Sequence, residues 1–152
     1  MTKDVALIVG GGPGISASCA RLFAKSGMQV AIAARTPDKP VLQNLERMHG
    51  VRRYACDASE PAAVELLFQN VVRDLGAPRL VVHNIDGRVA GIFRKGITEA
   101  DASMALETLR NSAFSAFLVG QQAARLMREN EPSANGARGT IIFTNASAAL
   151  KG

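Results

Sequence analysis

Short apolar runs rich in β-branched residues alternate with longer stretches of helical periodicity along almost the whole chain. The runs are Val5–Val9, Val30–Ala34, Val51–Cys56, Leu80–His83 and Gly139–Thr144. This alternation is typical of βαβ units, in which crossover helices join parallel strands. The first run is apolar at every position, as a strand covered on both faces requires. The sequence therefore predicts an α/β protein with a doubly wound parallel sheet.

Helices are predicted between these runs from the spacing of their apolar residues. One follows the first run, a second ends at Gly50, a third has Ser59 as its N-cap and ends at Gly76, and further helices cover residues 99–128. Right-handed crossovers then predict the strand order 3-2-1-4-5. At about 100–150 residues per domain, residues 1–152 are expected to form one domain.

The sequence stops at Gly152, shortly after the fifth run. A sheet that ended there would leave its last strand exposed at one edge. Two interpretations follow. The chain is either a small flavodoxin-like domain or the N-terminal portion of a C-terminally truncated domain that normally continues further.

Charge and cysteine content argue against several classes of protein. Lys and Arg number 18 against 13 Asp and Glu, but they are scattered, and one tyrosine and no tryptophan are available to stack on bases. No nucleic-acid partner is therefore expected. No apolar run reaches the roughly 18 residues of a membrane span and no secretory signal is present, so we expect a cytoplasmic protein without a membrane partner. Cys19 and Cys56 are far apart in the sequence and are interpreted as buried free thiols, with no metal site.

A string of glycines, interrupted by Pro13, lies between the first run and the first helix. Glycine permits a backbone with positive φ, and the missing side chains let main-chain N–H groups approach a pyrophosphate at the helix N-terminus. The strict G-x-G-x-x-G pattern fails at Ile15, whereas Gly10 and Gly14 meet the looser G-x-x-x-G-x-G pattern, with Ser16 in the last position. A nucleotide site is predicted, with a structural tight turn as the alternative. The predicted cofactor-binding residues of this loop are Gly10, Gly12, Pro13, Gly14 and Ile15.

The end of the second run indicates which nucleotide is bound. About 20 residues past the glycines, NAD and FAD folds place a carboxylate on the ribose hydroxyls, and S-adenosylmethionine methyltransferases do the same. This chain has Arg35 there and no acid. A guanidinium at that point would hold a 2′-phosphate through a charge-assisted fork, so NADP is favoured and NAD is the alternative. An arginine simply solvated at a strand end is the structural interpretation.

These residues together give the chain a resemblance to the short-chain dehydrogenase/reductase family over essentially its whole length. The glycine loop is similar to the family's TGxxxGxG, with Val9 in place of Thr and Ser16 in place of the last Gly. Asp57, after the third run, resembles the family's acidic adenine position. Asn84 matches the NNAG segment after the fourth run, and residues 139–147 resemble the fifth strand and its terminal serine.

The resemblance implies a Rossmann-type fold and hydride transfer between a nicotinamide and a carbonyl or alcohol carbon of a small-molecule substrate. It also implies that Asp57 and Ala58 contact the adenine and that Asn84 contacts the far ribose. A homodimer or homotetramer, formed through the long helices, is implied as well.

The same resemblance supplies two catalytic candidates. Ser147 is the candidate for the serine that orients the substrate oxygen, and a one-residue shift would put Ala146 there. Asn111 is the candidate for the helix asparagine of a proton relay, with Ser112 as its one-residue alternative. His83 lies at the carboxyl end of the fourth run, where α/β sheets bind ligands, and is a further candidate to face the cofactor.

The sequence departs from the family at the general acid. No Tyr-x-x-x-Lys occurs in the 152 residues, and the one tyrosine, Tyr54, lies in the third run, far from any hydride site. The family carries that motif beyond the position of Ser147. The chain is therefore either a fragment of an NAD(P)-dependent oxidoreductase or a protein that binds a dinucleotide without turning it over. A methyltransferase ranks third, because the acid after the second run is missing.

Overall fold

The computed structural model of the protein describes residues 3–92, 94 and 96–146. A 3-10 turn, Ile97–Glu99, precedes the fourth helix, and a π-helical turn, Arg110–Phe114, joins the fourth helix to the fifth. In chain order the elements are β1 (Val5–Val9), α1 (Ile15–Lys25), β2 (Gln29–Ala34), α2 (Pro40–His49), β3 (Arg52–Ala55), α3 (Pro61–Asp74), β4 (Pro78–His83), α4 (Ala102–Leu109), α5 (Ser115–Met127) and β5 (Thr140–Phe143).

The five strands form one parallel sheet in the order β3-β2-β1-β4-β5, which confirms the predicted Rossmann-type topology. β1 lies at the centre, where Leu7 is in register with Ala31 of β2 and Val81 of β4. All five residues of β1 are buried, which explains why the run is apolar at every position. The strand order brings the loops that follow β1, β2, β3 and β4 to one edge of the sheet.

Helices cover both faces of the sheet. On one face, Leu7 belongs to a buried cluster with Val71 of α3 and Val119 of α5. On the other, Ile8 belongs to a cluster with Leu42 of α2 and residues of α1. Burying each such side chain stabilises the fold by about 1.5–3 kcal/mol. The loops at the carboxyl edge are therefore attached to rigid, fully packed strands.

The predicted N-cap of α3 is wrong. Glu60 is the N-cap residue, and Pro61 is the first residue of the helix. The Ser59 hydroxyl instead donates to Asp57 Oδ1 over 2.7 Å, and the Ser59 backbone N–H donates to the same oxygen over 3.0 Å. The Asp57 carboxylate therefore accepts both Ser59 hydrogen bonds in a tight turn, and Ser59 does not cap the helix.

Within the described residues, no helix is long and apolar enough to cross a membrane.

Candidate cofactor site

A cavity of about 330 Å³ opens at the carboxyl edge of the sheet. Ligands of open α/β sheets bind in this crevice, because the chain leaves neighbouring strands in opposite directions there. The loops after four strands line the cavity, and the π-helical turn adds one residue. The polar or loop residues of the lining are Gly10, Gly11, Arg35, Thr36, Lys39, Cys56, Asp57, Ala58, Ser59, Asn84, Ile85, Asp86, Gly87, Arg88 and Asn111.

Gly10 is fixed by its surroundings. Its φ is +106°, and a Cβ at this position would lie 2.0 Å from the Asn84 carbonyl oxygen. The Gly10 and Gly11 N–H groups both donate to the Ala33 carbonyl, over 2.9 and 2.8 Å. The start of the loop is thus held between β2 and β4, and only glycine fits there.

The rest of the glycine loop faces open space. A Cβ added at Gly12 or Gly14 would meet nothing within 4 Å. Gly14 is the N-cap of α1, with no side-chain cap and no acid in the first helical turn, so the positive end of the helix dipole is uncompensated by protein side chains. Pro13, Gly14 and Ile15 are exposed, and none of the residues from Gly12 to Ile15 lines the cavity itself. They form its open rim, where an anion would meet main-chain amides.

Two cations lie at the β2 end of the cavity. Arg35 is exposed and lines it, and among the described residues no carboxylate oxygen comes within 4.0 Å of its guanidinium. Lys39, the N-cap residue of α2, places Nζ 3.5 Å from the Gly11 carbonyl oxygen. Sequence reasoning missed Lys39, since only the packing of α2 against α1 brings it beside the glycine loop.

Asp57 is held as a charged acceptor. Its two hydrogen bonds from Ser59 and the nearby charges of Arg35 and Arg110 hold the pKa of its carboxyl group below the usual range. Ala58, directly after it, is buried against the cavity wall. The carboxylate can therefore accept a hydrogen bond from a ligand amino group at neutral pH.

Asn84 lines the cavity and also ties three elements together. Its Nδ2 donates to Ser16 Oγ over 2.7 Å, and that hydroxyl donates to the Gly10 carbonyl over 2.6 Å. Its Oδ1 accepts from Thr144 Oγ1 over 2.9 Å. The amide thus links the ends of β4 and β5 to the glycine loop, which leaves one Nδ2 hydrogen for a ligand.

His83 does not face the cavity, so the prediction that it faces the cofactor is wrong. The ring is buried beneath α5, with Nε2 2.9 Å from Ser115 Oγ. The Ser115 hydroxyl also lies 2.7 and 2.9 Å from the carbonyl oxygens of Asn111 and Ser112, and the tautomer of the ring decides whether His83 Nε2 donates to it or accepts from it. Burial lowers the pKa of His83, which keeps the ring neutral.

Asn111 lies in the π-helical turn and lines the cavity next to the loop that follows β4. That loop approaches the turn closely, because a Cβ on Gly87 would lie 2.6 Å from the Ser112 backbone nitrogen. A π-helical turn is common at functional positions. The structure therefore brings Asn111 to the cavity, next to the loop that follows β4. Ser147, the other catalytic candidate, lies outside the described residues.

One tyrosine and two cysteines are further potentially reactive side chains of the protein. Tyr54 does not line the cavity, and its hydroxyl donates to Asp74 Oδ2 over 3.0 Å. Cys56 is buried at the cavity wall, and burial raises the pKa of its thiol to about 11, so it stays protonated. Cys19 is only partly buried, contrary to expectation. In the part of the chain that the structure describes, no group of three or more His, Cys, Asp or Glu residues could hold a metal ion.

Comparison with known proteins agrees with this architecture. The family model described as Enoyl-(Acyl carrier protein) reductase matches residues 10–152. An uncharacterized oxidoreductase of Mycobacterium bovis is 33% identical over 91 residues, which cover 53% of this chain and 25% of that protein. A short-chain type dehydrogenase/reductase from Mycobacterium marinum superimposes with a TM-score of 0.83 at 24% identity, over 98% of this chain and 58% of that one.

A short-chain dehydrogenase from Burkholderia cenocepacia J2315, solved in complex with NADP, superimposes with a TM-score of 0.82 at 22% identity. The superposition covers 99% of this chain and 58% of that structure. The matched family model and the shared fold agree with the Rossmann-type topology of the sheet. The chain belongs to the short-chain dehydrogenase/reductase family, and it spans less than three fifths of the length of these solved relatives.

Proposed function

We propose that the protein is an NADP(H)-linked oxidoreductase acting on a carbonyl or alcohol group of a small molecule. The observation that carries this proposal is the pairing of an uncapped helix N-terminus with two cations across one cavity. The Gly12–Gly14 rim and the start of α1 offer main-chain amides to a pyrophosphate. Arg35 and Lys39 offer positive charge for one further phosphate at the β2 end.

The β2 end favours NADP over NAD for an electrostatic reason. A carboxylate that binds the two ribose hydroxyls of NAD would repel a 2′-phosphate, and this chain has Arg35 in that position. A planar guanidinium binds phosphate in a bidentate fork. The NADP complex of the Burkholderia cenocepacia relative supports the same choice.

The other lining residues have defined tasks in this proposal. Asp57 accepts a hydrogen bond from the adenine amino group, and Ala58 packs beside the base. Asn84 uses its remaining Nδ2 hydrogen on the far ribose. When bound, the nicotinamide would give a hydride to a carbonyl carbon or take one from an alcohol carbon. Asn111, which lines the cavity, stays the predicted residue of a proton relay, and Ser147 stays the predicted residue that orients the substrate oxygen.

Isothermal titration with NADPH and NADH tests the proposal. The protein should bind NADPH at least about tenfold more tightly than NADH. Arg35→Ala should weaken NADPH binding by about 10- to 100-fold, because a hydrogen bond to a charged group contributes about 1.5–3 kcal/mol, and should leave NADH binding within about twofold. Arg21→Ala, which removes an exposed arginine of α1, is the control and should leave both affinities unchanged. Failure to bind either dinucleotide would overturn the proposal.

Binding of a dinucleotide without turnover is a second candidate function. The observation in its favour is that the Tyr54 hydroxyl donates to Asp74 outside the cavity and so does not act as a general acid there. Tight NADPH binding without oxidation across a panel of aldehydes and ketones would support this candidate. Oxidation of NADPH with any of them would support the oxidoreductase.

Oligomeric state, partners and location form the last part of the proposal. We propose a homodimer or homotetramer, without a nucleic-acid or membrane partner, in the cytoplasm. Sedimentation equilibrium measures the oligomeric state directly, and a monomer at all concentrations would contradict the proposed homodimer or homotetramer.

A further inference from the structure

Arg53 of β3 makes contacts that span the sheet edge, the loop after β2 and helix α2. Its Nη1 donates to the Pro37 carbonyl over 2.9 Å and to Asp38 Oδ1 over 2.8 Å. Its Nε and Nη2 both donate to Glu46 Oε2, over 2.9 and 2.7 Å. The Arg53 side chain is only 19% exposed, whereas the side chains of Asp38 and Glu46 are 77% and 47% exposed.

The segment that Arg53 holds is the one that carries the two cations of the cavity. Residues 35–39 connect β2 to α2, and Arg35 and Lys39 are its first and last members. Pro37 and Asp38, the two residues that Arg53 contacts, lie between them in sequence. An arginine that binds the middle of a five-residue connection restricts the positions of both ends.

The same contacts have an electrostatic effect. Asp38 directly precedes Lys39, and Glu46 lies on α2, the helix that begins after Lys39. Arg53 forms ion pairs with both carboxylates. Without Arg53, the two uncompensated negative charges would attract Lys39 away from the cavity and repel an incoming phosphate. Interactions between exposed charges fall off over about 8 Å at physiological salt.

We propose that Arg53 is a positioning residue for 2′-phosphate selectivity, which acts by holding the 35–39 loop so that Arg35 and Lys39 face the cavity. This inference rests on the proposed NADP function. Arg53 itself does not line the cavity and does not touch the ligand. It determines instead how strongly the site distinguishes two ligands that differ by one phosphate group.

The neighbouring residue provides a matched control. Arg52 lies on the same strand, points to the opposite face of the sheet and approaches Asp74 at 3.7 Å, with 55% of its side chain exposed. Arg52→Ala and Arg53→Ala each remove one positive charge from adjacent positions. Only the second releases the loop.

The test is titration calorimetry with adenosine 2′,5′-bisphosphate and with adenosine 5′-monophosphate, which differ by the 2′-phosphate alone. We expect Arg53→Ala to lower the ratio of the two affinities by about tenfold, and Arg53→Lys, which keeps the charge but loses the fork, by about threefold. Arg52→Ala should leave the ratio within about twofold of the parent value. Thermal unfolding of each variant shows whether it is folded, and if Arg53→Ala is not, Arg53→Lys decides the outcome.

The outcomes separate this inference from the proposed function. A parent protein that prefers the bisphosphate, with a preference unchanged in the folded Arg53 variants, overturns the inference and leaves the NADP proposal standing. Equal weakening of both ligands by Arg53→Ala also overturns it, because a purely structural role predicts that result. A parent protein without any preference for the bisphosphate overturns the proposed function, and the inference with it.

Discussion

The loops after β1, β2 and β3 differ from those after β4 and β5 in how they use their polar groups. The first set, which we call the adenosine half (residues 10–14, 35–39 and 57–59), presents uncapped helix amides and two cations to the cavity. The second, which we call the network half (His83, Ser115 and Thr144), joins its side chains to neighbouring side chains and to backbone carbonyls.

This difference indicates which polar residues should be assigned to ligand binding. A buried polar group must find a partner on folding, so a network such as His83 with Ser115 stabilises the fold whether or not a ligand is present. An exposed cation beside a cavity has no such requirement. Among the described residues no buried side-chain nitrogen or oxygen lacks a hydrogen-bond partner, so the binding capacity of this edge lies in its exposed groups. Substitutions in the network half should therefore change stability, and those in the adenosine half should change affinity.

The largest effect is expected for Gly10→Ala, where the two halves meet. A Cβ would overlap the Asn84 carbonyl oxygen at 2.0 Å, in a backbone conformation with φ of +106°. We expect the free energy of unfolding to fall by about 3 kcal/mol or more, measured by urea denaturation. Gly12→Ala is the matched control, since its Cβ would meet nothing within 4 Å. It should change stability by less than about 0.5 kcal/mol while weakening NADPH binding. Equal stability of the two variants would contradict the account.

Ser115→Ala tests the network half. It removes the hydrogen-bond partner of the buried His83 Nε2 and should lower the free energy of unfolding by about 1–3 kcal/mol. NADPH affinity should stay within about twofold. Ser103→Ala, which removes an exposed hydroxyl of α4, should be nearly neutral in both measurements. A large loss of affinity with unchanged stability would assign Ser115 to the ligand site instead.

Asp57→Asn tests the adenosine half at the base rather than at the phosphate. The amide keeps an oxygen for the Ser59 donors but replaces the other acceptor with an NH2 group, which cannot accept from an adenine amino group. NADPH and NADH should both bind about fivefold more weakly, so the preference between them should not change. A change confined to NADPH would show that Asp57 acts on the 2′-phosphate, which the account does not allow.

The smallest effect is the pH dependence from His83. Its folded pKa is lowered by burial, so the unfolded state binds the proton more readily. His83 thus contributes stability above its unfolded pKa of about 6.5, and this contribution is lost as the pH falls through that value toward the lower folded pKa. The slope from one proton is at most about 1.4 kcal/mol per pH unit. His83→Gln should flatten the dependence between about pH 5 and 7, whereas His49→Gln, at an exposed position, should not.

Much of the fold could be predicted because it depends on local patterns. The fully apolar run gave the bounds of β1, Val5–Val9, and the alternation with helices, together with right-handed crossovers, predicted the strand order that the structure confirms. Ser59 was assigned wrongly as an N-cap, since a capping hydroxyl accepts from a backbone N–H of the helix, whereas here it donates to Asp57, and the sequence does not say which bond forms. The π-helical turn at Arg110–Phe114 has no residue pattern of its own that would have predicted it.

The candidate site was predictable where it follows strand ends, and less so elsewhere. Arg35, Asp57 and Asn84 come directly after strands, so the sheet topology brings them to one cavity. Lys39 and Arg53 escaped notice because their roles depend on the packing of α2 against the sheet, which no local spacing reports. Likewise, burial rather than sequence position decides that His83 faces α5.

Amide chemical-shift mapping with adenosine 2′,5′-bisphosphate tests whether the cavity binds a phosphorylated adenosine. We expect small shifts at His83 and Ser115 and saturable shifts concentrated at Gly12, Gly14, Arg35, Lys39 and Asp57. Shifts concentrated in the network half, or none that saturate, would contradict the assignment of the cavity to a phosphorylated adenosine.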